Sequence, residues 1–365
     1  MTIQDVVDPP SHRIPVAVLG ATGLVGQRLV ALLANHPWFR LAGIAASDRN
    51  SGRRYGDIVR WRIAGDVPLD ASNLQTSWPI PEELPAPVIF SALPAAEAES
   101  IEPEFARAGA LVFSNASAYR MMADVPLVIP EVNPHHLAAL TTQRRVRGWT
   151  GALVTNPNCS TIGLALALAP LMRFQPQQVL VTTLQAASGT GYPGVASLDL
   201  LDNVIPFIAG EDEKIETEPR KILGAWKDGH FVDAPLLLSA QATRVAVSDG
   251  HLATVSVKFA RVPEIEEILA AWGDFAGEPQ RLRLPTAPEH PLRYLDAPDR
   301  PQPRLDRDQE NGMSVTIGRL RRCSVLDVRF ICLSHNTLRG AAGATLLNAE
   351  LAYARGLLPV EGRER

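Results

Sequence analysis

The junction between Ile14–Leu19 and Gly20-Ala-Thr-Gly23-Leu-Val-Gly26 constrains this chain more than any other segment. Ile14–Leu19 is a short apolar strand, and the glycines let the backbone turn tightly after it. The residues beyond place Val25, Leu29, Leu32 and Leu33 on one helical face, and Arg40–Ala46 reads as a second strand. Strand, glycine turn, helix and strand make a βαβ unit, which belongs in a parallel sheet covered by helices. The same glycines let backbone approach a pyrophosphate at the helix N-terminus. The spacing is GxxGxxG rather than the commoner GxGxxG, so the βαβ context carries the inference of nucleotide binding.

Val88–Pro94 and Leu111–Asn115 read as further parallel strands, with a helix over Glu97–Ala110 between them. Gly151–Thr155 reads as another strand, and Ile162–Met172 as a helix. From Gln178 the texture changes. Val179–Gln185, Ala242–Val247, Leu252–Phe259 and Ser324–Leu333 are long strand-like runs with few helices between, which predicts a mixed or antiparallel sheet. The fold class is therefore α/β: a Rossmann-type doubly wound parallel sheet plus a second, α+β domain with a mixed sheet. Residues 274–309, rich in proline, arginine and aspartate, read as an extended surface excursion or a subunit contact, and Gly340–Leu358 as a terminal helix. The expected division is a disordered lead-in over 1–13, a nucleotide-binding unit over 14–156 with the helix at 336–358, and a second unit over 157–335.

A length of 365 residues, 46% of them apolar, suits two domains that each bury a core. A net charge of −4 gives no reason to expect nucleic acid or an anionic membrane as partner. No apolar run reaches transmembrane length, and the N-terminus lacks the basic and apolar regions of a signal peptide. Three cysteines, at 159, 323 and 332, make neither a disulfide framework nor a close-spaced metal motif, which points to a reducing cytoplasm.

Cys159, in Thr155-Asn-Pro-Asn-Cys-Ser-Thr161, lies between a strand and a helix. Such a turn puts sulfur at a helix N-terminus, where partial positive charge favours thiolate, so the site suits a nucleophile. Arg244 and His251 flank the turn Ser248-Asp249-Gly250, and a hairpin there would aim both at one cavity. An imidazole with a free pKa of about 6.5 is a natural acid/base at neutral pH. A guanidinium fork can grip a carboxylate through two bonds.

At this point the chain resembles aspartate-β-semialdehyde dehydrogenases, most closely the archaeal and fungal type. The resemblance rests on Gly20–Gly26, Ser114–Arg120, Val128–Asn133, Asn156–Thr161, Gln185 through Gly194, Asp202–Phe207, Glu218–Leu223, Arg244–His251 and Leu333–Gly343, in order from about residue 14 to 357. It implies Cys159 as nucleophile, His251 as general acid/base, and Gln185 as the group orienting the acyl carbon. It implies Arg244 for the substrate carboxylate, and Arg120, Asn158 and Lys221 for the phosphate. Glu218 would bind the substrate's amino group or position the phosphate site. The implied reaction is NADPH-dependent reductive dephosphorylation of L-aspartyl 4-phosphate through a cysteine thioester, in the pathway to lysine, threonine and methionine. Splitting one substitution into two easier steps is the gain of covalent catalysis. Backbone N–H groups at the Cys159 helix, with His251, would meet the oxyanion. A homodimer or homotetramer in the cytoplasm is implied as well.

For the cofactor, NADP is expected. The resemblance lays it against Gly20, Thr22, Gly23, Leu24, Val25, Gly26, Ser91, Leu93, Pro94, Ser188, Gly189 and Asn336. Ser47, Arg49, Arg53 and Arg54, after the second strand, favour a 2′-phosphate, while Asp48 could instead take a ribose hydroxyl. Malonyl-CoA reductase and N-acetyl-γ-glutamyl-phosphate reductase share the scaffold, although the cysteine of the latter precedes Tyr-Pro and Cys159 precedes Ser-Thr. A catalytically dead nucleotide-binding scaffold is the non-enzyme alternative; the joint presence of Cys159, Gln185, Arg244 and His251 argues against it. Cys323 and Cys332 read as core thiols. His135 and His136 read as a surface helix start, His335 is not taken as catalytic, and His12, His36, His230 and His290 have no evident partners.

Overall fold

The computed structural model describes residues 7–46 and 50–359. Six strands build the first sheet: β1 (Ile14–Leu19), β2 (Phe39–Ala45), β3 (Thr76–Ser77), β4 (Val88–Ser91), β5 (Leu111–Ser114) and β6 (Ala152–Thr155). They run parallel in the order β3-β2-β1-β4-β5-β6. That order reverses between β1 and β4, which is where doubly wound sheets open a crevice beyond their carboxyl ends. Side chains alternate between two cores. Val16, Val18, Phe90 and Phe113 face the helix Leu24–Leu33 and the terminal helix Gly343–Ala354. Ala17, Leu19, Ile89 and Val112 face Phe105 of the helix Ala95–Arg107. Both faces are covered, so these strands are apolar throughout.

Eight strands follow: β7 (Pro176–Gln185), β8 (Ala225–Lys227), β9 (His230–Val232), β10 (Leu237–Arg244), β11 (His251–Phe259), β12 (Leu292–Leu295), β13 (Val315–Arg322) and β14 (Val328–Ser334). β8 and β9 pair with each other, and the rest form a mixed sheet ordered β10-β7-β11-β14-β13-β12. One face of it carries Val179, Val181, Val255, Val257 and Phe330 into a core shared with the helix Cys159–Leu168 and with Trp272. From Ser160 to Leu168 that helix is buried on every side, as a helix apolar all round must be. Trp272 is 1% exposed and donates Nε1–H to the Ala167 carbonyl at 2.9 Å, an anchor whose truncation costs about 3–5 kcal/mol.

Two expectations need correction. Arg244 and His251 do not flank a hairpin: β7 lies between their strands, parallel to β10 and antiparallel to β11. Residues 245–250 cross over the end of β7, and the two side chains reach the same region from either side of Gln185. The excursion at 274–309 contains β12, which pairs in parallel with β13 at the sheet edge; its four residues were hidden by the prolines around them.

The consequence is geometric. Gln185 ends β7, Arg244 ends β10, His251 begins the antiparallel β11, and Ser334 ends β14 opposite His251. One rim of the mixed sheet therefore presents all of them to the N-terminus of the Cys159 helix.

Candidate active site

Asn158 caps the Cys159 helix. Its φ and ψ of −55° and 144° end the strand-like approach, and its Oδ1 accepts from the N–H groups of Ser160 (2.9 Å) and Thr161 (3.2 Å). Cys159 is the first helical residue, and its Sγ lies 3.2 Å from His251 Nε2. Burial works against the expected preference for thiolate. Burial, reinforced by the negative Glu211, pushes the thiol up to about 12, against the opposing pull of Arg120, Arg244 and its own backbone. Burial, with Arg244 and His335 adding to it, pushes His251 down to about 3. The helix-end charge acts over one turn, whereas desolvation acts on the whole group.

Around this pair lie Gln185, Arg244 and one carboxylate that the sequence reading missed. Glu211 is 7% exposed and accepts from Asn158 Nδ2 (2.9 and 3.0 Å), Gln185 Nε2 (3.2 Å) and Lys214 Nζ (3.0 Å). Burial raises its pKa, but Lys214, Asn158 and Gln185 outweigh that and hold it below the ordinary value. Glu211 stands in an acidic run, Glu211-Asp-Glu213, that reads as solvent-facing helix start. The signal that could have found it is spacing: Glu211, Ile215, Glu218 and Ile222 share the buried face of the helix Glu211–Ile222. Arg244 is 4% exposed and spends Nη1 on the Ala186 carbonyl at 2.7 Å. A side chain on Gly189 would meet that same Nη1 at 2.7 Å and His251 Nε2 at 3.1 Å, so the Gly189 backbone closes over both.

The residues expected at the phosphate divide into two groups. Arg120 pairs with Glu218 Oε1 at 3.0 Å and donates to the Asn115 carbonyl at 2.7 Å, while its buried Nε finds no partner among the described residues. Glu218 Oε2 accepts from Asn158 N–H at 2.6 Å. Lys221 gives its three N–H groups to the carbonyls of Arg120, Met122 and Val125 at 2.7–2.9 Å, and burial lowers it to about 8. Lys221 thus holds the Arg120 loop from behind, and the Asn158 side chain is committed to its cap and to Glu211. Lys214, one helical turn from Glu211, keeps 32% of its side chain exposed.

The crevice at the first sheet's switch point suits a dinucleotide. Gly20 has φ +74°, and a Cβ there would lie 2.7 Å from the Ala92 carbonyl oxygen. A Cβ on Gly26 would lie 2.2 Å from the Gly20 oxygen, so strand and helix meet at glycine-only distance. Gly23 caps the helix Leu24–Leu33 with no side-chain bond, leaving its first amides for a ligand. Ser91 ends β4 beside this turn with its side chain buried, and Leu93 follows. Leu24, Ser188 and Thr337 line one cavity of about 280 Å³. Asn336 donates to Ser188 Oγ and accepts from Gly250 N–H, both at 2.8 Å, which brings it next to His251. Thr22 belongs to the same turn, and Val25 to the first turn of the helix that follows it. Ser47, Asp48 and Arg49 lie outside the described residues; Arg53 is exposed, and Arg54 is spent on Asn73 Oδ1 at 2.6 Å.

Behind the cysteine, Arg339 and Glu131 form a fully buried two-bond ion pair at 2.7 and 2.6 Å. Arg339 sits in a π-helical segment, Leu338–Ala342, whose Gly340 backs onto Cys159: a Cβ there would come within 2.8 Å of the cysteine Cβ. Several histidines also differ from expectation. His136 is fully buried against Asn133, and His36 Nε2 meets Glu350 at 2.8 Å, so neither is a free surface ring. Cys332 is in the core, whereas Cys323 is partly exposed. No helix among the described residues is long and apolar enough to cross a membrane.

Residues 15–140 match the family model of the semialdehyde dehydrogenase NAD binding domain, and residues 168–339 that of the semialdehyde dehydrogenase dimerisation domain. The aspartate-semialdehyde dehydrogenase of Archaeoglobus fulgidus is 51% identical over 339 residues, covering 93% of this chain and 98% of that protein. That of Cryptococcus neoformans is 46% identical over 365 residues, covering 96% and 99%. Among solved structures, aspartate semialdehyde dehydrogenase with NADP from Candida albicans superposes with a TM-score of 0.88 at 39% identity, covering 95% of this chain and 100% of that one.

Proposed function

This chain belongs to the aspartate-semialdehyde dehydrogenase family, and from that premise we propose how its residues carry out the family's reaction. It is an NADP-dependent oxidoreductase that reduces L-aspartyl 4-phosphate to L-aspartate 4-semialdehyde, releasing phosphate. The observation that carries the reading is the 3.2 Å contact between Cys159 Sγ and His251 Nε2, beside one buried cation and one buried anion.

Cys159 attacks the acyl carbon and becomes the thioester. Arg244, with Nη1 steadied by Ala186, turns its remaining N–H groups to the substrate carboxylate. Glu211 takes the substrate ammonium, the role expected of Glu218, because Glu211 is the carboxylate that faces Gln185 and Cys159. Gln185 orients the acyl group. Arg120 receives the phosphate, with the partly exposed Lys214 at the mouth. Glu218 and Lys221 support Arg120, and Asn158 holds the helix end. The glycine turn, with Ser91, Leu93, Ser188, Gly189 and Asn336, would hold NADP, which when bound supplies hydride to the thioester carbon.

We place the cofactor unit at 14–156 with the helix at 336–358, and the catalytic and dimerisation unit at 157–335. Two findings support this. The family models, over 15–140 and 168–339, fall on either side of residues 156 and 157, and Leu346, Leu347 and Leu351 pack in the first sheet's core. A homodimer or homotetramer in the cytoplasm completes the reading. The buried Glu211 favours an ammonium-bearing substrate over malonyl-CoA, which has none. Assays with NADPH and each compound test this: oxidation of NADPH with aspartyl phosphate is expected, and turnover of malonyl-CoA alone overturns the substrate assignment.

A further inference from the structure

The terminal helix Gly343–Ala354 is buried along nearly its whole length, yet it carries Thr345 and Asn348, both fully buried, one turn apart on the same side. Apolar residues would cover that side equally well, and a hydroxyl or amide is costly there unless it is bonded. Both side chains reach the loop that leads into Cys159. Asn348 Nδ2 donates to Asn156 Oδ1 at 2.6 Å and to the Val128 carbonyl at 3.2 Å. Asn156 Nδ2 donates to Thr345 Oγ1 and to Asn115 Oδ1, the latter at 3.0 Å. Thr345 Oγ1 lies 3.0 Å from Asn115 Oδ1 and 2.9 Å from the carbonyl of Ala341, in the π-helical segment that backs onto Cys159.

These bonds close a ring that contains the phosphate cation. Asn115 C=O accepts from Arg120 Nη2 at 2.7 Å, and Arg120 Nη1 pairs with Glu218 Oε1 at 3.0 Å. Glu218 Oε2 accepts from Asn158 N–H at 2.6 Å, and Asn158 is joined to Asn156 through Pro157. The circuit returns through the bond between the Asn156 and Asn115 side chains. Two arms therefore fix Arg120 relative to Cys159, one through Glu218 and one through Asn115. Asn115 also gives both its N–H and its Nδ2 to the Ser91 carbonyl at 3.0 Å, so the second arm spans the ends of β4, β5 and β6. Where that arm stands depends on how the Asn115 side chain is clasped from behind.

We propose that Thr345 and Asn348 of the terminal helix are positioning residues for the reaction: by clasping Asn156 and Asn115 they set the Arg120 guanidinium at the place, relative to Cys159, that the phosphate occupies. Both are fully buried behind the site, so they act through Arg120 and not on the substrate. Thr345 is the member on which three elements meet. Its hydroxyl accepts from Asn156 and has a single proton to share between Asn115 Oδ1 and the Ala341 carbonyl. It thereby ties the phosphate arm, the cysteine loop and the π-helical segment to one point on the helix. Removing the hydroxyl leaves Asn115 Oδ1 with Asn156 alone and frees the Asn115 carbonyl to carry Arg120 away from the sulfur.

This inference rests on the proposed acyl-phosphate reaction, and its test separates the two. The reaction is run in the phosphorylating direction with L-aspartate 4-semialdehyde, inorganic phosphate and NADP, so that the aldehyde carbon is oxidised, the nicotinamide is reduced and phosphate enters as a substrate. KM for phosphate and KM for NADP are measured for the wild type, Thr345→Val and Thr345→Ser. Valine keeps the shape and loses the hydroxyl; serine keeps the hydroxyl. The expected result is a phosphate KM raised roughly 10-fold or more in the valine variant, the scale of a misplaced binding group, with its NADP KM within roughly 2-fold of the wild type and both values near wild type in the serine variant. A phosphate KM unchanged by valine, an equal rise in both KM values, or a serine variant as impaired as the valine one overturns the inference. Should Thr345→Val not fold, Asn115→Ala removes the clasped side chain while keeping the carbonyl bonded to Arg120; the same rise in phosphate KM is expected, and an unchanged value overturns the inference. Wild-type enzyme that forms no NADPH in response to phosphate refutes the functional reading itself, whereas phosphate-dependent wild-type turnover with insensitive variants refutes the positioning role alone.

Discussion

Replacing Asn158 by aspartate separates its two tasks. The new carboxylate keeps an oxygen for the N–H groups of Ser160 and Thr161, so the cap, worth about 1 kcal/mol, survives. The Nδ2 that donated to both Glu211 oxygens at 2.9 and 3.0 Å becomes an oxygen facing them. Two ionised carboxylates about 3 Å apart repel by about 5 kcal/mol at an effective dielectric constant near 20. Protonating one of them at pH 7, from an ordinary pKa near 4, costs about 4 kcal/mol, so the pair shares a proton instead. The folded pKa of that pair lies above the unfolded value. The penalty is therefore small below the unfolded pKa, grows by about 1.4 kcal/mol per pH unit above it, and levels off once the folded pKa is passed. Denaturant midpoints read by circular dichroism from pH 5 to 8 give the assay. The Asn158→Asp midpoint should fall progressively below the wild type as pH rises. Asn158→Ala, which loses cap and donors together, should lose about 3 kcal/mol with little pH slope between 6 and 8. An Asn158→Asp midpoint that tracks the wild type across this range would refute the Asn158–Glu211 coupling.

Cys159→Ala should abolish NADPH oxidation while leaving NADP affinity, measured by titration calorimetry, unchanged; surviving turnover removes the nucleophile assignment. Arg244→Leu should lower kcat/KM for the acyl phosphate by roughly 10²-fold, the scale of losing a two-bond charged contact, and an unaltered kcat/KM would remove its carboxylate role. Glu211→Gln should raise KM for aspartyl phosphate by roughly 10-fold or more, yet leave a substrate analogue lacking the ammonium unaffected; equal losses with both compounds contradict the ammonium contact. Gly340→Ala puts a methyl 2.8 Å from the Cys159 Cβ and should lower kcat with NADP affinity retained, because the sulfur is displaced and the crevice is not; a fully active variant would mean the π-helical segment does not set the cysteine.

What could be read from the residues follows how far each residue's partners lie along the chain. The βαβ unit needs only Gly20, Gly26 and a helical stripe within a few residues of each other, and the parallel order of the first sheet follows from it. The cap at Asn158 is equally local. The relation of β10 to β11 is not, because adjacency in sequence favours a hairpin and only the pairing of β7 with both overrides it. Cys159 and His251 are 92 residues apart, and their pairing was legible through family motifs rather than through spacing. His36 looked unpartnered because Glu350 is 314 residues away. Glu211 was concealed for a different reason: an acidic run at a helix start has a sufficient explanation in the helix dipole, and that explanation hides the one member that turns inward. A helix end beside Cys159 is visible in sequence, whereas the burial and the Glu211 charge that oppose it are not.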